Sequence, residues 1–354
     1  MMFVSSGKKL MSKGLKVMSY KQEAPFSIQI ELTTGCNLQC SFCGINGFQE
    51  KPNKGLKFMT VENAEHIAES IAFTGWNSRL EFAMHGEPTM NPNWIEIIGI
   101  FHKHLPKNQI MLTGNGGGIV KSREIHKSVL GFFQAGGTIL ALDEYERVNF
   151  INKIKAGIDE FDLDEQGISV YQYPEEKAGN PHQRTKKKYV SFISPINLND
   201  KGTHAMLNNH CGSGGEIDNS QSNALCAKPF RELSINSDGS VNLCCNDFIG
   251  EYTCGNVLDT DVETLWNNKY FHSARKFLMD RQREAIRPCR GCNAKSYRVG
   301  LLPDKKGKVE LEKPTEADLE ICLEALAGGP DRSPTKRAKE NIIPILTIDE
   351  GFNW

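Results

Sequence analysis

Long apolar runs are absent from this chain of 354 residues, and so is an apolar N-terminal segment. No stretch reaches the roughly 18 consecutive apolar residues that indicate a membrane-spanning helix. Residues 1–16 are polar, carry lysines and lack the apolar core of a secretory signal peptide. We therefore expect a cytoplasmic protein without a membrane partner.

The chain also lacks an excess of charge of either sign. Lys and Arg total 42 while Asp and Glu total 43, which gives a formal net charge of −1. A general nucleic-acid-binding protein is expected to carry a basic excess, so we do not expect that function. The hydrophobic share of 39% and the charged share of 24% are ordinary for globular proteins.

Cysteine is absent between Cys43 and Cys211, although the chain holds 11 cysteines. Three lie within 36–43, six lie within 226–292, and Cys322 stands alone. A secreted protein stapled by disulfides would spread its cysteines more evenly. In a reducing compartment, clustered cysteines more often bind metal or perform redox chemistry. The distribution therefore predicts two separate cysteine sites.

Strand-like and helical patterns alternate along the first part of the chain. Helical spacing of apolar residues marks 61–71, with Thr60 as a predicted N-cap, and also marks 94–105, 121–134 and 144–156. The predicted strands are 27–33, 79–84, 109–113, 138–142, 168–173 and 189–193. Strands that alternate with helices predict an α/β fold with a parallel sheet and crossover helices.

The pattern changes in the second part of the chain. Residues 197–225 are rich in Asn, Gly, Ser and His, which predicts a linker or an active-site loop. Strands at 232–235 and 241–245 are joined by Asn-Ser-Asp-Gly, a hairpin signal. Helices are predicted at about 261–279 and 316–327.

The first cysteine site lies on a short loop directly after the first predicted strand. Cys36, Cys40 and Cys43 can hold three irons of a 4Fe–4S cluster and leave the fourth iron open. An open coordination position is what metal-based chemistry needs. The alternative is a zinc site, but a structural zinc takes four protein ligands, and the fourth would have to be distant in sequence.

This Cys-x3-Cys-x-aromatic-Cys loop, with Phe42 as the aromatic residue, resembles the signature of radical S-adenosylmethionine (SAM) enzymes. The resemblance implies that SAM binds the open iron and is cleaved by one electron to methionine and a 5′-deoxyadenosyl radical. That radical abstracts a hydrogen atom from the substrate. The resemblance also implies a flavodoxin- or ferredoxin-type electron donor and a barrel-like sheet, so we predict a partial (β/α)6 barrel.

Two further motifs resemble this family. Met84-His85-Gly86-Glu87-Pro88-Thr89 is similar to the Gly-Gly-Glu-Pro motif that contacts the SAM amino group, with His85 in place of the first Gly. Thr113-Gly114-Asn115-Gly116 is similar to the family's Thr-Asn-Gly turn, and Asp143 stands where the family often has an Asp near the ribose, with Ala141 replacing a Ser. The resemblance implies these cofactor-binding residues: Phe42, Gly86, Glu87, Pro88, Asn115 and Asp143.

The second cysteine site combines Cys226 and Cys244 with Cys289-Arg-Gly-Cys292. By spacing alone these cysteines suit zinc or iron equally well. The segment resembles the SPASM auxiliary-cluster extension, and because no further cysteines follow closely we favour its single-cluster form, called twitch. The resemblance implies a second 4Fe–4S cluster with Cys226, Cys244, Cys289 and Cys292 as ligands. Alternatively, Cys245 or Cys254 takes the place of one of them.

These motifs divide the chain into four predicted segments. Residues 1–25 are an N-terminal extension, and 26–210 form the radical SAM partial barrel. Residues 211–300 form a small α+β SPASM/twitch auxiliary-cluster domain, and 301–354 are a charged C-terminal extension.

The cysteine spacing is similar to that of 2-deoxy-scyllo-inosamine dehydrogenase-type enzymes, which oxidise a secondary alcohol. It implies an oxidoreductase acting on a small polar substrate, with the auxiliary cluster as an electron acceptor or a structural element. His210 stands where related enzymes carry the Arg of an Asn-Arg-x-Gly segment that faces the active site. Histidine titrates near neutrality, so His210 is our candidate catalytic base; alternatively it is a loop histidine bonded to backbone.

Two other functions stay open at this point. The protein could be a maturase that modifies a side chain in a peptide substrate, as many SPASM enzymes do. Only about 25 residues precede the first strand, too few for a small peptide-binding domain, although a separate protein could deliver the peptide. The last alternative is a non-catalytic binding protein stabilised by zinc in both sites, which would not cleave SAM.

Overall fold

The computed structural model describes residues 24–145, 149–159, 161–194, 208–214, 226–294 and 312–327. Its strands are β1 (Ser27–Ile30), β2 (Thr33–Thr34), β3 (Lys57–Phe58), β4 (Arg79–Phe82), β5 (Ile110–Gly114), β6 (Ile139–Asp143), β7 (Ile168–Tyr173), β8 (Lys188–Ile193), β9 (Glu232–Ile235), β10 (Ser240–Asn242) and β11 (Thr253–Asn256). Nine of them form one sheet in the order β11-β10-β9-β1-β4-β5-β6-β8-β7, and β2 pairs with β3.

Helices occur in both the first and the second part of the chain. They are α1 (Val61–Phe73), α2 (Trp94–His104), α3 (Gly117–Lys121), α4 (Ile125–Gln134), α5 (Phe150–Asp159), α6 (Lys228–Arg231), α7 (Val262–Trp266), α8 (Lys269–Met279) and α9 (Glu316–Ala327). In the part of the chain that the structure describes, none of these helices has the length and apolar character needed to cross a membrane.

The six strands predicted in the first part of the chain all form, and all are parallel to their neighbours. This confirms the α/β fold class. Among the described strands no pairing closes the sheet, because β7 and β11 lie at opposite edges. The open sheet is consistent with the predicted partial barrel.

The strand order departs from simple alternation at the last crossover. Strand β8 lies between β6 and β7, and the connection from β7 to β8 holds only a short 3₁₀ turn at Lys177–Gly179. The burial of the two strands agrees with this order. Four consecutive residues of β8 are buried, whereas Val170 of β7 is 42% exposed. A strand buried on both faces suits the interior of a parallel sheet, and a partly exposed one suits its edge.

Some predicted helices are divided or shifted. The predicted 121–134 helix forms as α3 and α4, with a break at Arg123, which has a positive φ of 62°. The predicted 261–279 helix breaks at Asn268, whose side chain caps α8. Asparagine is a favoured N-cap because its oxygen accepts hydrogen bonds from the first turn. The helix predicted at 144–156 begins later, at Phe150.

The predicted hairpin extends the main sheet. Strand β9 pairs in parallel with β1 over Ser27–Ile30, and it pairs antiparallel with β10 after the Asn-Ser-Asp-Gly turn. Gly239 ends that turn with a positive φ of 82°, a conformation that glycine adopts without strain. The segment that carries the second cysteine site is therefore joined to the first part of the chain by backbone hydrogen bonds. Of the predicted loop 197–225, only residues 208–214 lie within the described residues.

The N-cap of α1 provides a test of local stability. The Thr60 side chain accepts a hydrogen bond of 3.0 Å from the backbone N of Asn63. We expect Thr60→Ala to lower the free energy of unfolding by about 1 kcal/mol, because a backbone donor loses its partner. Thr60→Ser keeps the hydroxyl and should unfold like the wild type. Denaturant unfolding under anaerobic conditions measures both, and equal stability of Thr60→Ala and wild type would contradict the capping role.

Candidate functional site

The candidate site lies at one edge of the parallel sheet. Strands β1, β4, β5 and β6 are parallel, so their carboxyl ends share that edge, which is where open α/β sheets bind ligands. The loop with Cys36 follows β1, Glu87 follows β4, Asn115 follows β5, and Asp143 ends β6. The fold thus brings together four motifs that are far apart in sequence.

The first cysteine loop is fixed by amide side chains. Gln49 binds the backbone of Cys36 on both sides, since its Oε1 accepts from Cys36 N at 2.7 Å and its Nε2 donates to Cys36 O at 2.9 Å. Asn46 Nδ2 donates to the carbonyl oxygens of Cys40 (2.8 Å) and Cys43 (2.9 Å). The loop conformation is therefore held by hydrogen bonds from protein side chains.

The three thiols of this loop lie near one another and near a carboxyl group. Burial raises the pKa of Cys36 most, and the nearby Glu87, Cys43 and Cys40 raise it further. Burial likewise raises the pKa of Cys43 to about 12, with Cys40 adding to it. Without a metal the thiols thus keep their protons, and iron would bind them as thiolates and release those protons.

Glu87 connects the second motif to the turn after β5. Its buried carboxylate accepts hydrogen bonds from the backbone N of Thr89 (3.2 Å), the Thr89 hydroxyl and the backbone N of Asn115 (2.5 Å). Burial raises the pKa of Glu87, although these hydrogen bonds oppose that effect. Asn115 Nδ2 in turn donates to Cys36 Sγ at 3.4 Å. The predicted SAM-binding residues and the first cysteine site are therefore parts of one network.

The structure explains why one glycine of the second motif is retained and the other is replaced. Gly86 pairs with Gly35 of the cysteine loop, and a Cβ on Gly86 would lie 2.1 Å from Thr33 O. A side chain cannot fit there. The side chain of His85 points elsewhere, with Nδ1 3.1 Å from Glu31 Oε1 and Nε2 3.0 Å from the carbonyl oxygen of Cys245. His85 therefore links the second motif to the auxiliary segment.

Asp143 and Tyr145 complete this side of the site. Burial and the nearby Glu87 carboxyl raise the pKa of Asp143 to about 7, although a hydrogen bond with Tyr145 opposes the shift. The Tyr145 ring lies 5.9 Å from the Phe42 ring and close to Cys40 and Cys43. The sequence reasoning missed Tyr145. Its only signal was an aromatic residue placed two positions after Asp143 at the end of a strand.

The second cysteine site gathers the four predicted auxiliary ligands in the interior. Cys226, Cys244, Cys289 and Cys292 are each at most 8% exposed. Cys226 influences the pKa of both Cys244 and Cys289, and Cys292 influences those of Cys226 and Cys289. The four thiols therefore lie near one another in the interior. The ligand assignment stays a prediction.

Two cations that sequence reasoning missed lie beside these thiols. Arg283 is 1% exposed, and the nearby thiols, Cys226 and Cys292 foremost among them, raise its pKa. Lys228 Nζ lies 3.2 Å from Cys245 Sγ and 2.9 Å from Glu232 Oε2. A cluster with four thiolate ligands carries negative charge, and these cations would offset part of it in a site with little water.

The remaining cysteines separate into two groups. Cys211 lies close enough to Cys292 for the two thiols to shift each other's pKa, so it belongs to the auxiliary site. Cys254 is fully buried, and after burial the groups that influence its pKa most are Arg275 and Cys322. This position does not favour the alternative in which Cys254 replaces a ligand.

His210 lies where the cysteine loop meets the auxiliary segment. Gly44 of the cysteine loop packs closely on His210 and Phe248. A Cβ added to Gly44 would lie 2.7 Å from His210 Cβ and 2.5 Å from the ring of Phe248. The Phe248 ring packs edge-on against His210 (4.7 Å) and against His85 (4.6 Å). Burial, with Lys228 and His85 nearby, lowers the pKa of His210 to about 4, so its imidazole is neutral at pH 7. Its Nδ1 is buried without a hydrogen-bond partner among the described residues.

Family models match both parts of the chain. Residues 30–162 match the radical SAM superfamily, and residues 226–293 match SPASM, an iron–sulfur cluster-binding domain. The chain belongs to the radical SAM superfamily and carries a SPASM domain, as the motifs predicted. This membership implies SAM and iron–sulfur clusters as cofactors.

The individual relatives have low sequence identity to this chain. The S-adenosyl-L-methionine-dependent 2-deoxy-scyllo-inosamine dehydrogenase of Niallia circulans is 23% identical over 270 residues, which cover 75% of this chain and 92% of the relative. The GTP 3′,8-cyclase of Pasteurella multocida is 26% identical over 136 residues, 38% of this chain and 39% of the relative. The crystal structure of BtrN in complex with AdoMet and 2-DOIA superposes with a TM-score of 0.58 at 19% identity, covering 79% of this chain and all of BtrN. That similarity supports the fold.

The raised pKa of Asp143 predicts a pH-dependent difference in stability. Between its ordinary value near 4 and about 7, the unfolded chain has lost the Asp143 proton while the folded protein keeps it, so stability decreases as pH rises. We expect the stability of Asp143→Asn relative to wild type to increase by about 2 kcal/mol from pH 5 to pH 8. Urea unfolding at both pH values measures this. Asp164→Asn, at an exposed position, is the control, and a constant difference for Asp143→Asn would contradict the buried titration.

Proposed function

We propose that this protein is a radical SAM dehydrogenase that oxidises a secondary alcohol of a small polar substrate such as a sugar, cyclitol or nucleoside. The observation that carries the proposal is the pair of cysteine sites. One offers three thiols beside the SAM-like motifs, and the other encloses four thiols in the interior. The matched dehydrogenase, which the chain covers over 92% of its length, supports the same activity.

The residues of the first site fit a 4Fe–4S cluster and SAM. Cys36, Cys40 and Cys43 provide three thiolates and leave one iron open, and the Asn115 amide donates toward the Cys36 sulfur. We assign Phe42, Gly86, Glu87, Pro88, Asn115 and Asp143 to SAM binding. When bound, these two cofactors provide the radical that abstracts hydrogen. A flavodoxin- or ferredoxin-type protein would deliver the electron.

Oxidation of an alcohol to a ketone removes a hydrogen atom, a proton and one further electron. The hydrogen atom leaves the carbinol carbon and forms the new C–H bond of 5′-deoxyadenosine. The hydroxyl proton goes to a base, for which we propose His210, because its imidazole is neutral and its Nδ1 has no partner among the described residues. An auxiliary cluster held by Cys226, Cys244, Cys289 and Cys292 would accept the remaining electron, and the ketone is left as product.

The charges around the second site suit an electron acceptor. A cluster held by four thiolates becomes more negative when it is reduced, and nearby positive charge favours that state. Arg283 and Lys228 are both close to these thiols. His85 connects the site to the SAM-like motif through the carbonyl of Cys245. We therefore assign Cys226, Cys244, Cys289 and Cys292 to an auxiliary 4Fe–4S cluster with a redox role.

The direct test is anaerobic turnover with SAM, dithionite and secondary alcohols carrying deuterium at the carbinol carbon. We expect a ketone product and transfer of that deuterium into 5′-deoxyadenosine. The control, Cys36→Ala/Cys40→Ala/Cys43→Ala, should keep about four of about eight irons per chain and form neither product. Zinc in both sites with no SAM cleavage would instead support a metal-stabilised binding protein, and deuterium transfer only from a peptide would support a maturase.

The proposed base has its own test. His210→Gln keeps a side chain of similar size but cannot accept a proton. We expect ketone formation to slow by about 10²–10⁴-fold, the usual contribution of a positioned base. Because His210 is not assigned to SAM binding, the SAM affinity of the variant should remain at the wild-type value. Ketone formation at the wild-type rate would exclude His210 as the base.

A further inference from the structure

A short segment of the chain, residues 50–58, borders the first cysteine loop, and we call it the lysine segment. Asn53 N donates to the carbonyl oxygen of Cys36 at 2.9 Å. Just before the segment, the carbonyl oxygen of Gln49 accepts from Gln39 Nε2 at 2.8 Å. The segment ends in β3, which pairs antiparallel with β2. Its position relative to the cysteine loop is therefore fixed by backbone contacts.

One side chain of the lysine segment is anchored, and the others face outward. Leu56 packs on the cysteine loop, since a Cβ on Gly35 would lie 2.8 Å from Leu56 Cδ2. Every other residue from 50 to 58 is exposed, including both residues of β3, Lys57 and Phe58. A strand of an antiparallel pair usually buries one face and exposes the other. The exposure of both faces of β3 indicates that this segment contributes a surface and little core.

That surface is basic. The lysine segment carries Lys51, Lys54 and Lys57, and Glu50 is its only acidic residue. Glu50 pairs with Lys54 at 3.0 Å, so Lys51 and Lys57 provide the excess positive charge. Because the whole chain has a formal net charge of −1, this excess is a local feature.

The basic surface adjoins the more accessible of the two cysteine sites. In the first cysteine loop Gln39 and Ser41 are exposed, and Cys40 between them is half-buried. The four predicted auxiliary ligands, by contrast, are each at most 8% exposed. An electron carrier in solution therefore reaches the first site more readily than the auxiliary site.

We propose that the lysine segment is the docking surface for an acidic one-electron carrier protein, which gives up one electron as the cluster of the first cysteine site takes it up. Opposite charges on two proteins steer their encounter and raise the association rate. A small contact area is enough, because complexes with electron carriers are weak and transient. Phe58, which is 39% exposed, adds an aromatic contact of the kind that is enriched in interfaces. The inference rests on the first cluster of the proposed function, but on nothing concerning the substrate or the auxiliary cluster.

The test compares two electron sources in the reconstituted full-length protein at low ionic strength. Lys51→Glu/Lys57→Glu reverses the excess charge of the surface. An acidic flavodoxin, reduced beforehand to its hydroquinone, should drive SAM cleavage in this variant about 10–10³-fold more slowly than in the wild type, because electrostatic steering is lost. Calorimetric titration with oxidised flavodoxin should show weaker binding. Dithionite is a small reductant that needs no docking surface, so 5′-deoxyadenosine formation with dithionite should stay at the wild-type rate.

Lys186→Glu/Lys187→Glu is the matched control. It makes the same change in charge at two exposed lysines, which precede β8 and so lie at the opposite, amino-terminal edge of the parallel sheet. We expect it to bind flavodoxin and to support SAM cleavage like the wild type. Raising the ionic strength should slow the flavodoxin-driven reaction of the wild type, because salt screens exposed charges.

A wild-type rate with flavodoxin in Lys51→Glu/Lys57→Glu would overturn the proposal. So would an equal loss in the two double variants, which would show that only net charge matters, or a wild-type rate that does not depend on salt. Slower dithionite-driven cleavage in Lys51→Glu/Lys57→Glu would indicate damage to the cysteine loop in place of lost docking. Wild-type protein that cleaves SAM with dithionite but not with flavodoxin would contradict this inference alone. No cleavage with either reductant would overturn the proposed function as well.

Discussion

The parallel pairing of β1 on both of its edges is the constraint on which the rest of the structure depends. Residues Ser27–Ile30 pair with β4 on one side and with β9 on the other. The first cysteine loop follows β1, the SAM-like motif follows β4, and the hairpin of the auxiliary segment follows β9. Because parallel strands end at the same edge, all three meet there. Glu31, directly after β1, adds a buried link to both neighbours by accepting from Ser237 N (3.0 Å) and contacting His85 (3.1 Å).

Burial gives the side chains at this edge their chemistry. The thiols of Cys36 and Cys43 and the carboxyls of Glu87 and Asp143 have raised pKa values, chiefly because burial disfavours their charged forms. Groups of this kind favour binding of a cofactor that brings positive charge. At the auxiliary site Arg283 already provides a buried positive charge beside the thiols. The two sites therefore differ in electrostatic character, which suits the redox role that we propose for the auxiliary cluster.

Much of the fold could be predicted because it depends on local patterns. The strands of the parallel sheet, the Thr60 cap and the hairpin before β10 follow from hydrophobic periodicity, a capping residue and a turn sequence. The exchange of β7 and β8 in the sheet could not be predicted, since it reflects which strand gains more by burial. Predicted helices that spanned Arg123 and Asn268 were too long, because apolar spacing continues across a local break.

The sequence by itself determined the family and the two cysteine clusters, because spacing and residue type fix which chemistry a loop can perform. Tertiary structure decided what no spacing encodes. It placed Cys211 against Cys292 and Arg283 among the auxiliary thiols. It also turned His85 away from the motif in which it stands, toward Glu31 and Cys245. These contacts join residues far apart in the chain, and their distances and burial arise only when the whole sheet is assembled.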